Sequence, residues 1–180
     1  MPEKIKNWVT KEEVDALRKA AKQTRYPVRN ELIILMMYRH GLRVSELCKI
    51  QLEQINLTHA SIYIKRLKNG VDATHPIAGD ELRLIRRYLR ERKTALPWFF
   101  VSERQNQLSR ITVNKMIEQC GKLSPLPHIN PHMLRHGCGY YLVNKGYNLR
   151  EIQDYLGHAD IRNTVIYTRL SGNRFIGMWE

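Results

Sequence analysis

The last third of the chain holds side chains suited to handling a charged oxygen. His132, Arg135 and His136 fall within one run, Pro131-His132-Met133-Leu134-Arg135-His136; Leu156-Gly157-His158 follows, and then Tyr167. On a helix, positions i, i+3 and i+4 share a face, so the two histidines and the arginine would stand together. Three chemistries use such a face. In the plainest, the histidines are backbone partners in a folded core and Arg135 is a surface charge. A metal site would use His132 and His136 at the i, i+4 spacing of the zinc pair in H-E-x-x-H, but Met133 stands where that motif needs its glutamate base. In the third, Arg135 forks onto a phosphate and the histidines donate hydrogen bonds to it. The third agrees best with the charge of the chain.

Other residues matter only in company. Arg43 and Glu46 are three apart just beyond Gly41. Alone they are a surface ion pair of little worth; in a site, the carboxylate would brace the guanidinium in one orientation. Lys68 precedes Asn69-Gly70 and alone is a solvated turn charge. His158 alone is a partner for a helix C-terminus. Tyr167 alone is a core or surface phenol.

Thirty Lys and Arg against 17 Asp and Glu give a net charge of +13, spread along 180 residues rather than gathered in a tail. A folded surface that basic favours a polyanionic partner, DNA or RNA first, over a merely basic or ribosome-associated protein. With 43% hydrophobic residues the chain has enough apolar content for one globular domain. Cys48, Cys120 and Cys138 lack C-x-x-C spacing, which argues against a disulfide framework or a zinc ribbon and for buried thiols in a reducing compartment. The first residues lack the apolar core of a signal peptide, and the run Leu32 to Met37 is too short to span a membrane. A soluble protein of the cytoplasm is expected.

Helices must position these residues. Thr10 and Glu13 form a capping box before a helix whose stripe is Val14, Leu17 and Ala21. A second helix, from about Val28 to His40, is apolar nearly all round and ends at Gly41, which suits a buried central element. Leu42 to Leu47 opens a short third helix. The period then changes. Ser61 to Leu67 alternates as a strand, Lys68-Asn69-Gly70 makes a tight hairpin turn with positive φ favoured at Asn-Gly, and Val71 to Ile77 returns, with Ile55 to Leu57 as a short third strand. Asp80 caps a helix to about Lys93 with Leu82, Ile85 and Leu89 inward and Arg83, Arg86, Arg87, Arg90 and Arg92 on its other faces. Trp98 to Val101 is a short buried segment. Ser109 caps a helix to about Cys120. Asn130-Pro131 starts the helix carrying His132, Arg135 and His136; Asn148 with Glu151 starts another that stops at Gly157; Arg162 to about Leu170 forms a last short helix bearing Tyr167.

Taken in order, Arg43, Lys68, His132-x-x-Arg135, His158 and Tyr167 resemble the catalytic signature of the tyrosine recombinases, the family of phage integrases and Xer-type resolving recombinases. Gly41-Leu42-Arg43-Val44-Ser45-Glu46-Leu47 is similar to the family's first arginine box, Pro131 to His136 to its second, and Leu156-Gly157-His158 with the tyrosine nine residues on to its third. The resemblance covers about residues 10–175. Ile62-Tyr63-Ile64-x-Arg66-Leu67-Lys68, Thr74-His75-Pro76, Ile152 to His158 and Arg174 to Trp179 further resemble the small recombinases that invert fimbrial promoter segments in enterobacteria.

The resemblance implies an α-dominant α+β domain, the DNA breaking-rejoining fold with a small antiparallel sheet, over residues 10–180, behind a basic arm at residues 1–9 and without the separate N-terminal domain that completes the family's clamp on DNA; either the arm with Trp8 partly substitutes, or a partner protein helps, or binding alone is weak. It implies a DNA strand transferase with chemistry of the type IB topoisomerase kind. Tyr167 would be the nucleophile, giving a 3′-phosphotyrosyl link. Arg43 and Arg135 would clamp the phosphate, and Lys68 would protonate the leaving 5′-oxygen. His132 would take or hold the tyrosine proton, His158 would donate to the phosphate, and Glu46 would orient Arg43. His136 is expected to be structural. No metal and no cofactor is implied. The partner is double-stranded DNA with inverted repeat sites, bound by a tetramer at the bacterial nucleoid, with DNA-bending accessory proteins. In the tail, Phe175, Ile176, Met178 and Trp179 are apolar enough to dock on a neighbouring protomer or fold back. The competing readings are an integrase of a mobile element, a non-catalytic DNA-binding protein on the same fold, and a phosphate-ester hydrolase that would leave Tyr167 and the charge unexplained.

Overall fold

The computed structural model describes residues 6–126 and 128–170, the last two by backbone alone. Thr10 Oγ1 accepts from the Glu13 N–H (3.2 Å) and Glu13 accepts from the Thr10 N–H (2.7 Å), so α1 (Lys11–Ala21) starts where the capping box requires. Just before it, Trp8 lies on Tyr140 at 4.7 Å and Val9 is buried, so the described part of the arm packs on the body. Pro27 opens α2 (Pro27–Arg39), where Val28 through Tyr38 are all buried. With no solvent face, this helix is the hub. It packs on α1, on α4 (Gly79–Glu91) and on α6 (Pro131–Asn144). Between hub and sheet lies the short α3 (Val44–Cys48).

The sheet is antiparallel in the order β1 (Ile55–Asn56), β2 (Ser61–Ile64), β3 (Ala73–Pro76), with Ile62 opposite both Ile55 and His75. Both long strands are shorter than the sequence predicts. Strand β2 stops at Ile64 because the Arg66 side chain turns into the body and its N–H goes to the Asp72 carboxylate (2.7 Å) instead of a ladder partner. The connection is therefore longer than a two-residue hairpin, but the tight turn is present at its tip: the Gly70 N–H donates to the Leu67 carbonyl (3.3 Å) across Lys68 (φ 57°) and Asn69 (φ 59°).

Helix α4 also begins differently. Ala78, not Asp80, is its N-cap, because the Asp80 carboxylate is taken bidentately by Arg39 at the end of α2 (2.7 and 2.8 Å). At its other end Arg92 donates to the carbonyls of Thr94, Leu96 and Trp98 and so closes the turn after the helix rather than adding to a charged face. Ser109 caps α5 (Arg110–Lys122). Asn130 caps α6, and the Asn148–Glu151 capping box starts α7 (Leu149–Leu156). After α8 (Arg162–Val165), a 3-10 turn, Ile166–Leu170, carries Tyr167. The expected tail contacts of Phe175, Ile176, Met178 and Trp179 lie outside the described residues. The fold is α-dominant with one small sheet. Around α2 lies the main core; Cys138, Ile152, Leu156 and Tyr167 form a second, smaller one beneath α6 and α7. No helix among the described residues is long and apolar enough to cross a membrane.

Candidate active site

At the end of α2 the chain turns through Gly41 and enters α3 with Arg43 extended at the N-cap. Glu46, at the third helical position, reaches back. One oxygen accepts the Arg43 guanidinium (2.7 Å), the other its backbone N–H (2.9 Å). The pair is no surface ion pair, since Glu46 is buried. The same carboxylate accepts from Arg66 (3.0 Å) and lies 3.9 Å from Arg135. Arg135 is buried as well. Its position on α6 lets it donate to the carbonyls of Gly41 and of Leu156 (3.0 Å), which ties the ends of α2 and α7 to one guanidinium.

Helix α7 ends on Gly157 in the left-handed region (φ 65°), where a Cβ would also strike the Arg66 stem at 2.4 Å. That reversal turns His158 inward, with Nδ1 2.8 Å from Thr164 Oγ1 and its carbonyl accepting from Gln153 (3.0 Å). Tyr167 is 1% exposed. Its ring lies so close over Gly139 that a Cβ there would come within 2.6 Å of it. Tyr140 meets the ring edge-on, and the Tyr167 hydroxyl is 3.2 Å from His136 Nδ1.

In front of these groups lies an open cleft of about 900 Å³ lined by Arg43, Lys68, Arg110, His128, His132 and His136 among others. The sequence-selected residues thus form two layers. Arg43, Lys68 and His132 face the cleft; Arg135, His158 and Tyr167 are buried outside its lining. His136 belongs to both, lining the cleft and touching the tyrosine hydroxyl. The sequence reading gave that place to His132 and a structural role to His136. Among the described residues no three His, Cys, Asp or Glu side chains are grouped as a metal ion would need.

The sequence profile described as the phage integrase family matches residues 7–174. The chain belongs to that family, the tyrosine recombinases. It is 40% identical over 183 aligned residues to the type 1 fimbriae regulatory protein FimB of Escherichia coli (strain K12), covering 98% of this chain and 91% of that one. The crystal structure of XerA recombinase is similar with a TM-score of 0.81 at 28% identity, over 92% of this chain and 61% of that one. The XerH site-specific recombinase bound to palindromic difH substrate, a post-cleavage complex, shares the fold with a TM-score of 0.80 at 22% identity, over 96% of this chain and 52% of that one.

Electrostatics in this tyrosine recombinase follow from burial around clustered cations. Burial pushes the Tyr167 phenol up to about 12 although Arg135 and Arg43 pull it down, so at neutral pH it holds its proton. His158 falls to about 3, first through burial and then through Arg135, Arg43 and Arg66; it is a neutral imidazole. His136 is lowered by burial, His132 and Arg135. Arg135 drops to about 10 through burial and the neighbouring Arg43 and Arg66, which still leaves it charged.

Two residues that stand in the quoted motifs were given no role by the sequence reasoning. Arg66 occupies the third inward position after Ile62 and Ile64 on an alternating strand, and a charge at an inward position was the available signal. The other is His75, on the same sheet. Its ring stacks on Tyr155 at 3.8 Å and its Nδ1 lies 3.1 Å from His40, which in turn meets Glu81 at 2.8 Å. Nothing local in Thr74-His75-Pro76 distinguishes it from a solvated histidine.

Proposed function

We propose that the chain is a site-specific DNA recombinase that cuts and rejoins duplex DNA through a 3′-phosphotyrosyl link, and that it inverts a promoter segment flanked by inverted repeats. The observation that carries this reading is the pairing of a cationic cleft holding Arg43, Lys68 and His132 with a phenol set behind it on His136. Tyr167 Oη attacks the scissile phosphorus as the bond to the 5′-oxygen breaks. The phenolic proton passes to a histidine, His136 being in contact and His132 at the cleft, and Lys68 gives a proton to the departing 5′-oxygen. Arg43 and Arg135 offset the charge that gathers on the non-bridging oxygens, while His158, its Nδ1 engaged by Thr164, offers Nε2 to one of them. One phosphodiester is exchanged for another, so rejoining needs no nucleotide.

Double-stranded DNA as the partner is supported by the +13 charge and by the XerH structure of the same fold, bound to a palindromic difH substrate. Promoter inversion is supported by the 40% identity to FimB, a fimbriae regulatory protein, along 98% of this chain. Residues 10–180 would act as the catalytic domain and residues 1–9 as its arm. Inversion would take a tetramer across two sites, with DNA-bending accessory proteins to bring them together.

The test is a library of nicked duplexes with randomised arms, incubated with the protein and resolved on a denaturing gel. A covalent adduct is expected with wild type and none with Tyr167→Phe; Lys68→Ala should lower its yield by roughly 100-fold, as loss of a general acid does. Arginines and a lysine supply the charge that divalent cations supply elsewhere, so the yield should be the same in EDTA as in Mg²⁺. Tight DNA binding with no adduct from any library member would leave a binding protein only. Recovered sites, cloned as inverted repeats around a reporter promoter, then report inversion directly.

A further inference from the structure

Three guanidiniums surround one buried carboxylate. Glu46 accepts from Arg43 through one oxygen (2.7 Å) and from Arg66 through the other (3.0 Å), with Arg135 3.9 Å away. Arg43 and Arg135 have roles in the proposed chemistry; Arg66 has none. Yet its side chain is wholly buried and donates further to the carbonyls of Gly41 (3.2 Å), His40 (2.9 Å) and Tyr155 (2.8 Å). It cannot reach the cleft.

Two physical consequences follow. The first is geometric. Arg66 occupies the Glu46 oxygen that faces Arg135, and Arg135 already stands at 3.9 Å from it. With Arg66 absent, that oxygen would draw the Arg135 fork inward, away from a phosphate. The second is charge. Burial raises the Glu46 carboxyl, and Arg66, the largest opposing influence, followed by Arg43 and Arg135, brings it below its ordinary value, so the carboxylate is ionised. Three guanidiniums and one carboxylate leave a surplus of two positive charges. A bound phosphodiester carries a single negative charge, whereas the pentacovalent state formed when a phenolate adds carries two. Surplus positive charge attracts the state that carries two negative charges more strongly than the state that carries one, which is the condition for acceleration.

We propose that Arg66 is a positioning residue for the phosphate site: it leaves one Glu46 oxygen to Arg43 and, by occupying the other, keeps Arg135 from closing onto that carboxylate and away from the phosphate. This rests on the recombinase reading above. It also gives the loop bearing Lys68 a second task, since the arginine two residues earlier anchors that loop to the arginine site.

The test uses two substrates built on a sequence that wild type cleaves from the randomised library. One has the natural scissile phosphate; the other has a methylphosphonate, in which a methyl replaces one non-bridging oxygen and so takes one acceptor away from the Arg43 and Arg135 forks, making the placing of Arg135 matter less. Single-turnover adduct formation is followed for wild type and Arg66→Met, with DNA binding and thermal melting alongside. The variant is expected to bind DNA within about threefold of wild type, to cleave the phosphodiester roughly 10–100-fold more slowly, and to show a deficit under about fivefold on the methylphosphonate. Equal deficits on both substrates would mean that Arg66 only holds the fold, and no deficit would mean that it does nothing; either overturns the proposal. If Arg66→Met does not melt cooperatively, the comparison moves to Arg66→Met/Glu46→Gln against Glu46→Gln, where no unpaired carboxylate is left buried, and the same inequality is required. Absence of any wild-type adduct would instead sink the recombinase reading itself.

Discussion

Tyr167 and Gly139 show how tightly one residue type can be specified by another. The phenol ring occupies the space a Cβ at position 139 would need, at 2.6 Å. Gly139→Ala should therefore displace the ring and overpack the smaller core, at a cost of about 1–3 kcal/mol. For a domain of this size that should lower Tm by roughly 2–10 °C, with the tyrosine more open to solvent quenching. The buried histidines set an acid limit. His158 and His75 are both depressed to about 3, His158 by burial and the three site arginines, His75 by burial, His40 and Arg66. In the unfolded chain each titrates near ~6.5, so between about pH 6.5 and 3 the unfolded state binds more protons. Stability is thus full above about pH 6.5 and declines as pH falls toward 3. Thermal melts from pH 8 to 4 should show Tm dropping below pH 6.5, and His75→Phe, if it keeps the stack on Tyr155, should flatten that slope. Arg43, Lys68, His132, Arg135, His158 and Tyr167 could be picked out as candidates because each stands in a distinctive local context. The contact of His136 with Tyr167 could not be foreseen, since the two are 31 residues apart.

At the scale of elements, the helices could be read because their caps are local chemistry. Thr10 with Glu13 and Asn148 with Glu151 name their helix starts within four residues, and both boxes are formed. The Lys68 loop resisted for the opposite reason. Its shape depends on Arg66 reaching carbonyls of His40, Gly41 and Tyr155, and no neighbouring residue encodes that reach. Asp72 is the loop's own tie. It takes the Arg66 N–H at 2.7 Å and the Tyr63 hydroxyl at 3.0 Å. Asp72→Ala should loosen the loop without unfolding the helices, so limited proteolysis should cut between residues 65 and 72 faster while the far-UV spectrum is unchanged. Asp80 misled for a similar reason. It is a good cap by type, but Arg39, 41 residues earlier, claims it.

At the scale of the whole molecule, the +13 charge and the cleft act together. Each phosphate neutralised should contribute about −0.9 to the slope of log K against log salt, so duplex affinity should fall steeply between 50 and 200 mM salt while the rate of adduct formation by bound protein changes little. The two cores give the molecule an uneven interior. The hub around α2 is closed on all sides, whereas the smaller cluster of Cys138, Ile152 and Leu156 includes Tyr167, the proposed nucleophile. Anything that moves Tyr167 toward the cleft removes a member of that cluster. Uncovering a side chain of that kind costs about 1.5–3 kcal/mol, so only roughly one molecule in ten to one in a hundred would hold the phenol forward at any instant. The resting protein would then carry a built-in safeguard: a stray encounter with duplex meets a cationic groove whose cutting edge is sheathed, and a break in the chromosome requires the encounter to outlast the rare moment of unsheathing.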